Sequence, residues 1–168
     1  YNGMKYLPEC MASLCQGQEN APEYEVLIID NGSADGSVEY LDSEWCRKKE
    51  APAEEGGKPQ VRLIALPENT GFCHAVNLGI REARSSYVIL LNNDTRVEAG
   101  FVKGLYDAIR KDEKIFSVSA KMLMWDKPEL LDDAGDRYCV LGWAYSRGKG
   151  RPAVDYDKNV SIFSACGG

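Results

Sequence analysis

The chain has 168 residues, 44% hydrophobic and 27% charged, which is typical of one globular domain and excludes a disordered tail or a fibre. Lys and Arg number 20 and Asp and Glu number 26, and the net charge of −6 disfavours nucleic-acid phosphate as a partner. No apolar run reaches the roughly 18 to 20 residues of a membrane span. The six cysteines form no C-x-x-C pair, which favours reduced thiols in a cytosol.

The first predicted elements are a helix and a strand. Leu7, Met11 and Leu14 recur at helical spacing directly after the opening Tyr-Asn-Gly. Residues 25–30 form a continuous apolar run that ends in an acid, as expected for a strand buried on both faces, and the Asn-Gly-Ser-Ala-Asp-Gly that follows is typical of a turn. Because each end of the chain interrupts a predicted element, we expect a fragment of a longer protein.

The order of strand, turn and helix then repeats. A helix is predicted after the first strand from Val38, Leu41 and Trp45, and residues 48–59 are predicted to be a solvated loop. Residues 61–66 and 87–91 predict two further strands, each closed by polar turn residues. The helices after them are marked by Phe72, Ala75, Val76 and Ile80 and by Phe101, Val102, Leu105 and Ile109. Three such units predict a parallel sheet covered by helices.

The last third of the chain has a different pattern. Residues 115–124 predict one more strand, and residues 130–151 lack a helical period and predict β-ribbons and loops over one end of the sheet. Residues 161–168 predict a strand that runs into a turn.

Polar clusters follow all three predicted parallel strands: residues 30–31, 69–71 and 92–94. Ligands of open parallel sheets bind beyond the carboxyl ends of the strands, so these clusters are predicted to share one rim. The alternative is that Asn, Asp and Gly occur there only because turns require them. A single carboxylate, Asp94 beside Asn92 and Asn93, suits a magnesium or manganese ion that takes its other ligands from water and a nucleotide diphosphate.

Two other nucleotide-binding classes lack their motifs. The glycine-rich loop of a dinucleotide fold is absent from the residues about 20 positions before Asp30, and no G-x-x-x-x-G-K-[ST] sequence occurs. His74 is the only histidine, which leaves no set of histidines for a zinc site. The sequence therefore favours a nucleotide site of another kind.

These segments resemble family-2 glycosyltransferases of the GT-A fold, an α/β, Rossmann-like and mostly parallel sheet, and in particular the rhamnosyltransferase-like branch. The resemblance rests on VLIIDNGSADGS at residues 26–37, PENTGFCHAVNLGI at residues 67–80 and LLNNDT at residues 90–95. The family's metal motif is usually Asp-x-Asp, but here Asn92 takes the first position and only Asp94 keeps a carboxylate. FSACGG resembles the strand after which the family places its catalytic base, an acidic residue. That base is therefore expected beyond Gly168, and residues 1–168 alone are expected to be inactive.

The resemblance implies inverting, metal-assisted transfer of a sugar from a pyrimidine nucleotide-diphospho-sugar, dTDP-rhamnose or a UDP-sugar, to a glycan or lipid-linked acceptor. Asp30 would meet the imide N–H of the base, and Asp94 and Asn92 would hold Mg²⁺ or Mn²⁺. The donor nucleotide would be lined by Asn2, Asp30, Asn31, Asn69, Gly71, Asn77 and Asn93.

The resemblance also implies an organisation and a location for residues 1–168. They would form one partial domain, with a nucleotide-binding half at about 1–112 and the start of an acceptor-side region at about 113–168. The location would be cytoplasmic, with the inner face of the membrane as an alternative, and nucleic acid would not be a partner. The alternative function is an inactive nucleotide-sugar-binding or interaction module of the same fold.

Overall fold

A computed structural model describes residues 1–47 and 59–164 of the chain. The predicted loop at 48–59 lies outside the described residues except for Pro59, which is buried, and so do residues 165–168 of the last predicted strand and turn. The chain divides into two compact units, Tyr1–Lys103 (unit 1) and Gly104–Gly168 (unit 2).

Unit 1 is built on a parallel pair of strands with helices between them. Its elements in chain order are α1 (Leu7–Cys15), β1 (Glu25–Asp30), α2 (Ser37–Leu41), a π-helical turn (Asp42–Cys46), β2 (Gln60–Ala65) and α3 (Phe72–Glu82). Strands β1 and β2 pair in register from Glu25 opposite Gln60 to Asp30 opposite Ala65. The loops that follow the two strands therefore leave the same edge of the pair.

The core of unit 1 forms where α1 packs with β1, β2 and α2. Leu7, Met11 and Cys15 are spaced four residues apart, so they share one face of α1 and are all buried. The remaining members of this buried cluster are Val26, Leu41 and Val61. On β1, a Cβ atom added to Gly79 of α3 would lie 3.3 Å from Ile29 Cγ1, so helix α3 approaches that strand closely.

The helical patterns and the first two strands predicted from sequence are confirmed. The prediction of a third strand at residues 87–91 is wrong, because these residues belong to none of the sheets formed by the described residues. The side chains of Tyr87, Val88, Ile89 and Leu90 are 42–52% exposed. An apolar run indicates that a segment can be buried. A β-strand also needs a neighbouring strand that forms hydrogen bonds with its backbone.

Helix α4 (Phe101–Ile109) forms where the apolar spacing predicted a helix. The boundary between the two units falls within it, after Lys103. Unit 2 continues with β3 (Met122–Met124), β4 (Lys127–Asp133), β5 (Asp136–Tyr138), β6 (Ala144–Ser146) and a 3₁₀ turn (Ala153–Tyr156). Strands β3 and β4 form one antiparallel pair, and β5 and β6 form another. The predicted β-ribbons are thus confirmed.

Two finer predictions in unit 2 are corrected. Of the strand predicted at residues 115–124, only Met122–Met124 forms, because only these residues reach a pairing partner on β4. Of the strand predicted at the end of the chain, the described part contributes a single bridge between Asp136 and Ser164. Among the described residues, no helix combines the length and the apolar content needed to cross a bilayer.

Candidate functional site

Asn31 ties the loop after β1 to the loop after β2. The side chain is buried, and its Nδ2 donates to Asn69 Oδ1 at 3.0 Å. Its Oδ1 accepts from Thr70 N at 2.9 Å and from Thr70 Oγ1 at 3.1 Å. Asn69 Oδ1 also accepts from Gly71 N at 3.0 Å, next to the start of α3. One buried amide therefore fixes both loops at the rim, as expected of buried polar groups with satisfied hydrogen bonds.

Backbone contact between the same two loops requires glycine at position 32. Gly32 has φ +78°, and a Cβ atom there would lie 2.5 Å from the carbonyl carbon of Glu68 and 2.8 Å from Asn69 N. A residue with a side chain would meet both strain in φ and overlap with backbone atoms. The turn composition seen in the sequence thus has a specific cause at this position.

Asp30 ends β1 with a carboxylate that is 5% exposed. Its Oδ1 accepts from Ser33 N at 2.8 Å, and its backbone oxygen accepts from Leu66 N at 2.9 Å. Its Oδ2 makes no hydrogen bond to residues 1–47 or 59–164. One oxygen is fixed in place by the loop, which leaves the other as an acceptor for a ligand.

The residues before α1 are bound to the loop after β1. Asn2, with φ +48°, donates its backbone N–H to Ser33 Oγ at 2.7 Å and accepts from Ala34 N through its Oδ1 at 3.0 Å. Met4 N donates to Asp35 Oδ2 at 2.9 Å. Ser33 and Asp35 are not among the site residues predicted from the sequence, although Ser33 links Asn2 to Asp30.

Asp35 also organises the start of α2. It accepts a short hydrogen bond from the Ser37 hydroxyl and another from Ser37 N. The Ser37 hydroxyl and the Met4 N–H lower the pKa of Asp35 below its usual value. An acid two residues before a helix, where the first N–H groups lack partners, is the signal in the sequence that could have pointed to this role.

The third cluster meets the first helix and Gly3. A Cβ atom on Gly3 would overlap the side-chain amide of Asn93, so Asn93 occupies the space beside this buried glycine. Thr95 Oγ1 donates to Asn92 O at 2.7 Å, and the Cys10 thiol is 4.0 Å from the same oxygen. Asp94 is exposed.

The Cys10 thiol is a structural group. Burial raises the pKa of Cys10, an effect opposed by its hydrogen bond with Thr95 and reinforced by the charge of Asp94. The thiolate is the nucleophilic form of cysteine, so this shift keeps the side chain unreactive.

The structure joins five of the nine predicted site residues in one set of hydrogen-bonded loops and leaves four outside it, which are Asn77, Asn92, Asn93 and Asp94. The five are Asn2, Asp30, Asn31, Asn69 and Gly71. The side chain of Asn93 lies against Gly3, next to Asn2 in the chain. Asn77 lies on the exposed surface of α3, and Asp94 lies exposed in its loop. The shared rim predicted from sequence is therefore built chiefly from the loops after β1 and β2.

The donor atoms near Asp94 fit a cation that brings most of its own ligands. Asp94 supplies one exposed carboxylate and Asn92 one amide oxygen, both of them hard donors. Residues 1–47 and 59–164 contain no group of three His, Cys, Asp or Glu side chains that could hold a metal by themselves. This donor set suits Mg²⁺ or Mn²⁺ shared with phosphate and water, and it does not suit zinc.

The model of the family described as "Glycosyl transferase family 2" matches residues 1–151. "Glycosyltransferase GlyG" of Streptococcus pneumoniae is 25% identical over 167 residues, which are 97% of this chain and 51% of that protein. "Chondroitin synthase" of Escherichia coli is 30% identical over 67% of this chain and 14% of its own length.

The name of a third relative includes a lipid phosphate, undecaprenyl phosphate. "Undecaprenyl-phosphate 4-deoxy-4-formamido-L-arabinose transferase" of Pseudomonas fluorescens is 32% identical over 56% of this chain and 25% of its own length. The chain spans about half of the pneumococcal protein and less of the other two. No solved structure is significantly similar to the chain.

Proposed function

Because the chain belongs to glycosyl transferase family 2, we propose that its first unit binds the nucleotide-diphospho-sugar donor of an inverting glycosyltransferase. The family has the GT-A fold, in which an α/β sheet presents the donor site at the ends of its strands. The donor is a pyrimidine nucleotide sugar, dTDP-rhamnose or a UDP-sugar, and the acceptor is a glycan or a lipid-linked acceptor. Relatives named for chondroitin synthesis and for transfer to undecaprenyl phosphate support this acceptor class.

The observation that carries the proposal is the state of the Asp30 carboxylate. Ser33 N holds Oδ1, and Oδ2 has no hydrogen bond within the described residues. A carboxylate only accepts hydrogen bonds, and the imide N3–H of uracil or thymine only donates. The pair is complementary, whereas the corresponding ring nitrogen of adenine is an acceptor and would face the carboxylate without a proton.

The remaining site residues take supporting roles in this proposal. Asn31 fixes the loops around the base, and Asn2, Asn69, Gly71, Asn77 and Asn93 line the nucleotide. Asp94 and Asn92 hold a divalent cation, a cofactor common in this family, which when bound offsets the negative charge of the departing nucleoside diphosphate. The acceptor hydroxyl attacks the anomeric carbon from the face opposite the diphosphate. Its proton passes to a carboxylate base and the bond from that carbon to the diphosphate breaks, so a single displacement inverts the configuration.

Competition titrations on the whole chain test the assignment of Asp30. UDP and dTDP are expected to bind better than ADP, and Asp30→Ala is expected to weaken the pyrimidine nucleotides roughly tenfold or more, because the imide donor loses its partner. Asp30→Asn is expected to be intermediate, since its amide oxygen can still accept.

Asp35→Ala is the matched control, because it removes an exposed carboxylate from the same loop. It is expected to leave base preference unchanged. If ADP competes as well as UDP before any mutation, Asp30 does not read a pyrimidine and the proposal fails.

A further inference from the structure

Unit 2 contains an open cavity of about 350 Å³ on and beside the hairpin of β5 and β6. Its lining comprises two arginines, three hydroxyl-bearing side chains and one glycine: Arg137, Tyr145, Ser146, Arg147, Gly148 and Tyr156. Arginine, serine and tyrosine all supply hydrogen-bond donors, and none of the described residues that line the cavity is an acid. The lining is therefore chemically matched to an anion.

Arg147 is held in place before any ligand binds. Its guanidinium lies 4.6 Å from the centre of the Tyr156 ring, and its Nη1 donates to Ala134 O at 3.4 Å. Stacking on an aromatic ring uses the face of the guanidinium and leaves N–H groups at its edge for a ligand.

Arg137 reaches the same cavity from the neighbouring strand. It is paired with Tyr145 across β5 and β6, and directly opposed residues of an antiparallel pair project to the same face. The hairpin therefore places a cation and a phenol side by side, with Arg147 just after the end of β6.

The acids close to these arginines in the chain are engaged elsewhere. Asp132 forms an ion pair with Lys149 at 2.8 Å, Asp133 accepts from Gly135 N at 2.9 Å, and Asp136 accepts from Ser164 Oγ at 3.1 Å. None of these three acids lines the cavity, and Asp132 is neutralised by Lys149. Asp133 uses Oδ2 for its bond, and its buried Oδ1 has no hydrogen-bond partner among the described residues.

Glycine at position 148 is required for this arrangement. Gly148 has φ +84°, and a Cβ atom there would lie 2.7 Å both from Leu131 Cδ1 and from Tyr156 Cε1. A side chain would push Tyr156 away, and with it the surface on which Arg147 stacks.

We propose that this cavity binds a phosphate group of the acceptor, an inference that rests on the proposed glycosyltransferase function. Two guanidinium groups match the charge of a phosphate dianion and its several acceptor oxygens, whereas a single carboxylate would leave one of the two unneutralised. The ligand class is thus a phosphorylated glycan or a lipid-linked phosphate, which share this chemistry.

Calorimetric titration of the whole chain with glycerol 3-phosphate tests the proposal, in EDTA so that no metal bridges phosphate to Asp94. Binding is expected, and Arg137→Gln and Arg147→Gln are each expected to weaken it roughly tenfold. Arg137 is exposed, so its variant is expected to fold even if loss of the Arg147 stack disturbs the hairpin.

Arg110→Gln is the matched control, because Arg110 also stacks on a tyrosine, 5.0 Å from the ring of Tyr106 on α4, but does not line the cavity. It is expected to bind as the unmodified chain does. Equal weakening by this control, unchanged binding in the Arg137 variant, or acetate binding as tightly as glycerol 3-phosphate would each overturn the proposal.

Two further experiments are needed. One distinguishes a lipid-linked phosphate from a phosphorylated glycan, and the other tests the phosphate site independently of the nucleotide site. Polyprenyl phosphate in micelles that binds far more tightly than glycerol 3-phosphate supports a lipid-linked acceptor, and similar affinities support a phosphorylated glycan. UDP binding is expected to survive Arg137→Gln, and phosphate binding is expected to survive Asp30→Ala, so either assignment can fail while the other stands.

Discussion

The loops after β1 and β2 and the loop at residues 92–95 lie in the same unit, but they are built differently. In the first region the carboxylate of Asp30 and the amide of Asn31 are buried and bonded to neighbouring loop atoms. In the second region the carboxylate of Asp94 is exposed, and the Thr95 hydroxyl and the Cys10 thiol bond to the backbone oxygen of Asn92.

The difference corresponds to the two kinds of ligand proposed for them. A hydrogen bond to a neutral nucleotide base adds little affinity if its acceptor must first be immobilised on binding. The site for the base therefore benefits from acceptors that are already held in place. A divalent cation that arrives with a diphosphate completes its shell from water and phosphate, so one accessible carboxylate is enough. The first region should therefore govern stability together with binding, and the second should govern metal-dependent binding alone.

The largest effect is expected from Gly32→Ala. The added Cβ would overlap the Glu68 backbone and force alanine to a φ of +78°, which should cost roughly 2 to 4 kcal/mol of unfolding free energy. Gly36→Ala is the control, because Gly36 has φ +87° but no atom within 4 Å of its added Cβ, and it should cost about 1 to 2 kcal/mol. Urea denaturation followed by tryptophan fluorescence measures both, and equal costs would contradict the contact between the loops.

The next effect is expected from Asn31→Ala. Loss of the buried amide leaves Asn69 Oδ1 and both Thr70 donors without this partner, which should lower the free energy of unfolding by roughly 2 to 3 kcal/mol. UDP affinity should also fall, because the loops proposed to surround the base are no longer joined by the Asn31 side chain. Asn77→Ala, on the exposed surface of α3, should leave stability within about 0.5 kcal/mol in the same denaturation measurement. An Asn31→Ala chain with an unchanged free energy of unfolding would show that these hydrogen bonds do not stabilise the two loops.

Asp94→Ala is expected to separate binding from stability. An exposed side chain of this kind should change the free energy of unfolding by less than about 0.5 kcal/mol. The gain in UDP or dTDP affinity on adding Mn²⁺ should disappear, because the carboxylate that holds the cation is gone. Calorimetry with and without the metal measures that gain. A variant that keeps the full metal dependence would remove Asp94 from the metal site.

The smallest effect is expected from Asp35→Asn, measured as a function of pH. The pKa of Asp35 is lowered in the folded chain, so its ionised form adds stability above the unfolded pKa, and this stability is lost as the pH falls through the folded value. The stability difference between the unmodified chain and the variant should therefore be present at pH 7 and shrink below about pH 4. Denaturation at both pH values provides the check. If the stability difference between the unmodified chain and the variant grew as the pH fell, the pKa of Asp35 would not be lowered in the folded chain.

Sequence patterns were sufficient for elements whose burial follows from local spacing. The four-residue repeat of Leu7 and Met11 placed the buried face of α1, and the apolar run at Glu25–Asp30 placed β1 with its terminal acid at the strand end. The same reasoning failed at residues 87–91. Apolar residues in sequence are equally consistent with a paired strand and with an exposed segment, because the partner of a strand is distant along the chain.

The candidate site divides in the same way. The sequence by itself determined which residue types follow the strands, and with them the acceptor at Asp30 and the single carboxylate at Asp94. Only the tertiary structure decided that Asn31 bonds to Asn69 and Thr70, that Ser33 links Asn2 to Asp30, and that two arginines share one cavity in unit 2. The physical reason is that these contacts join residues up to 39 positions apart, where backbone pairing and packing set the distance between side chains and local propensity does not.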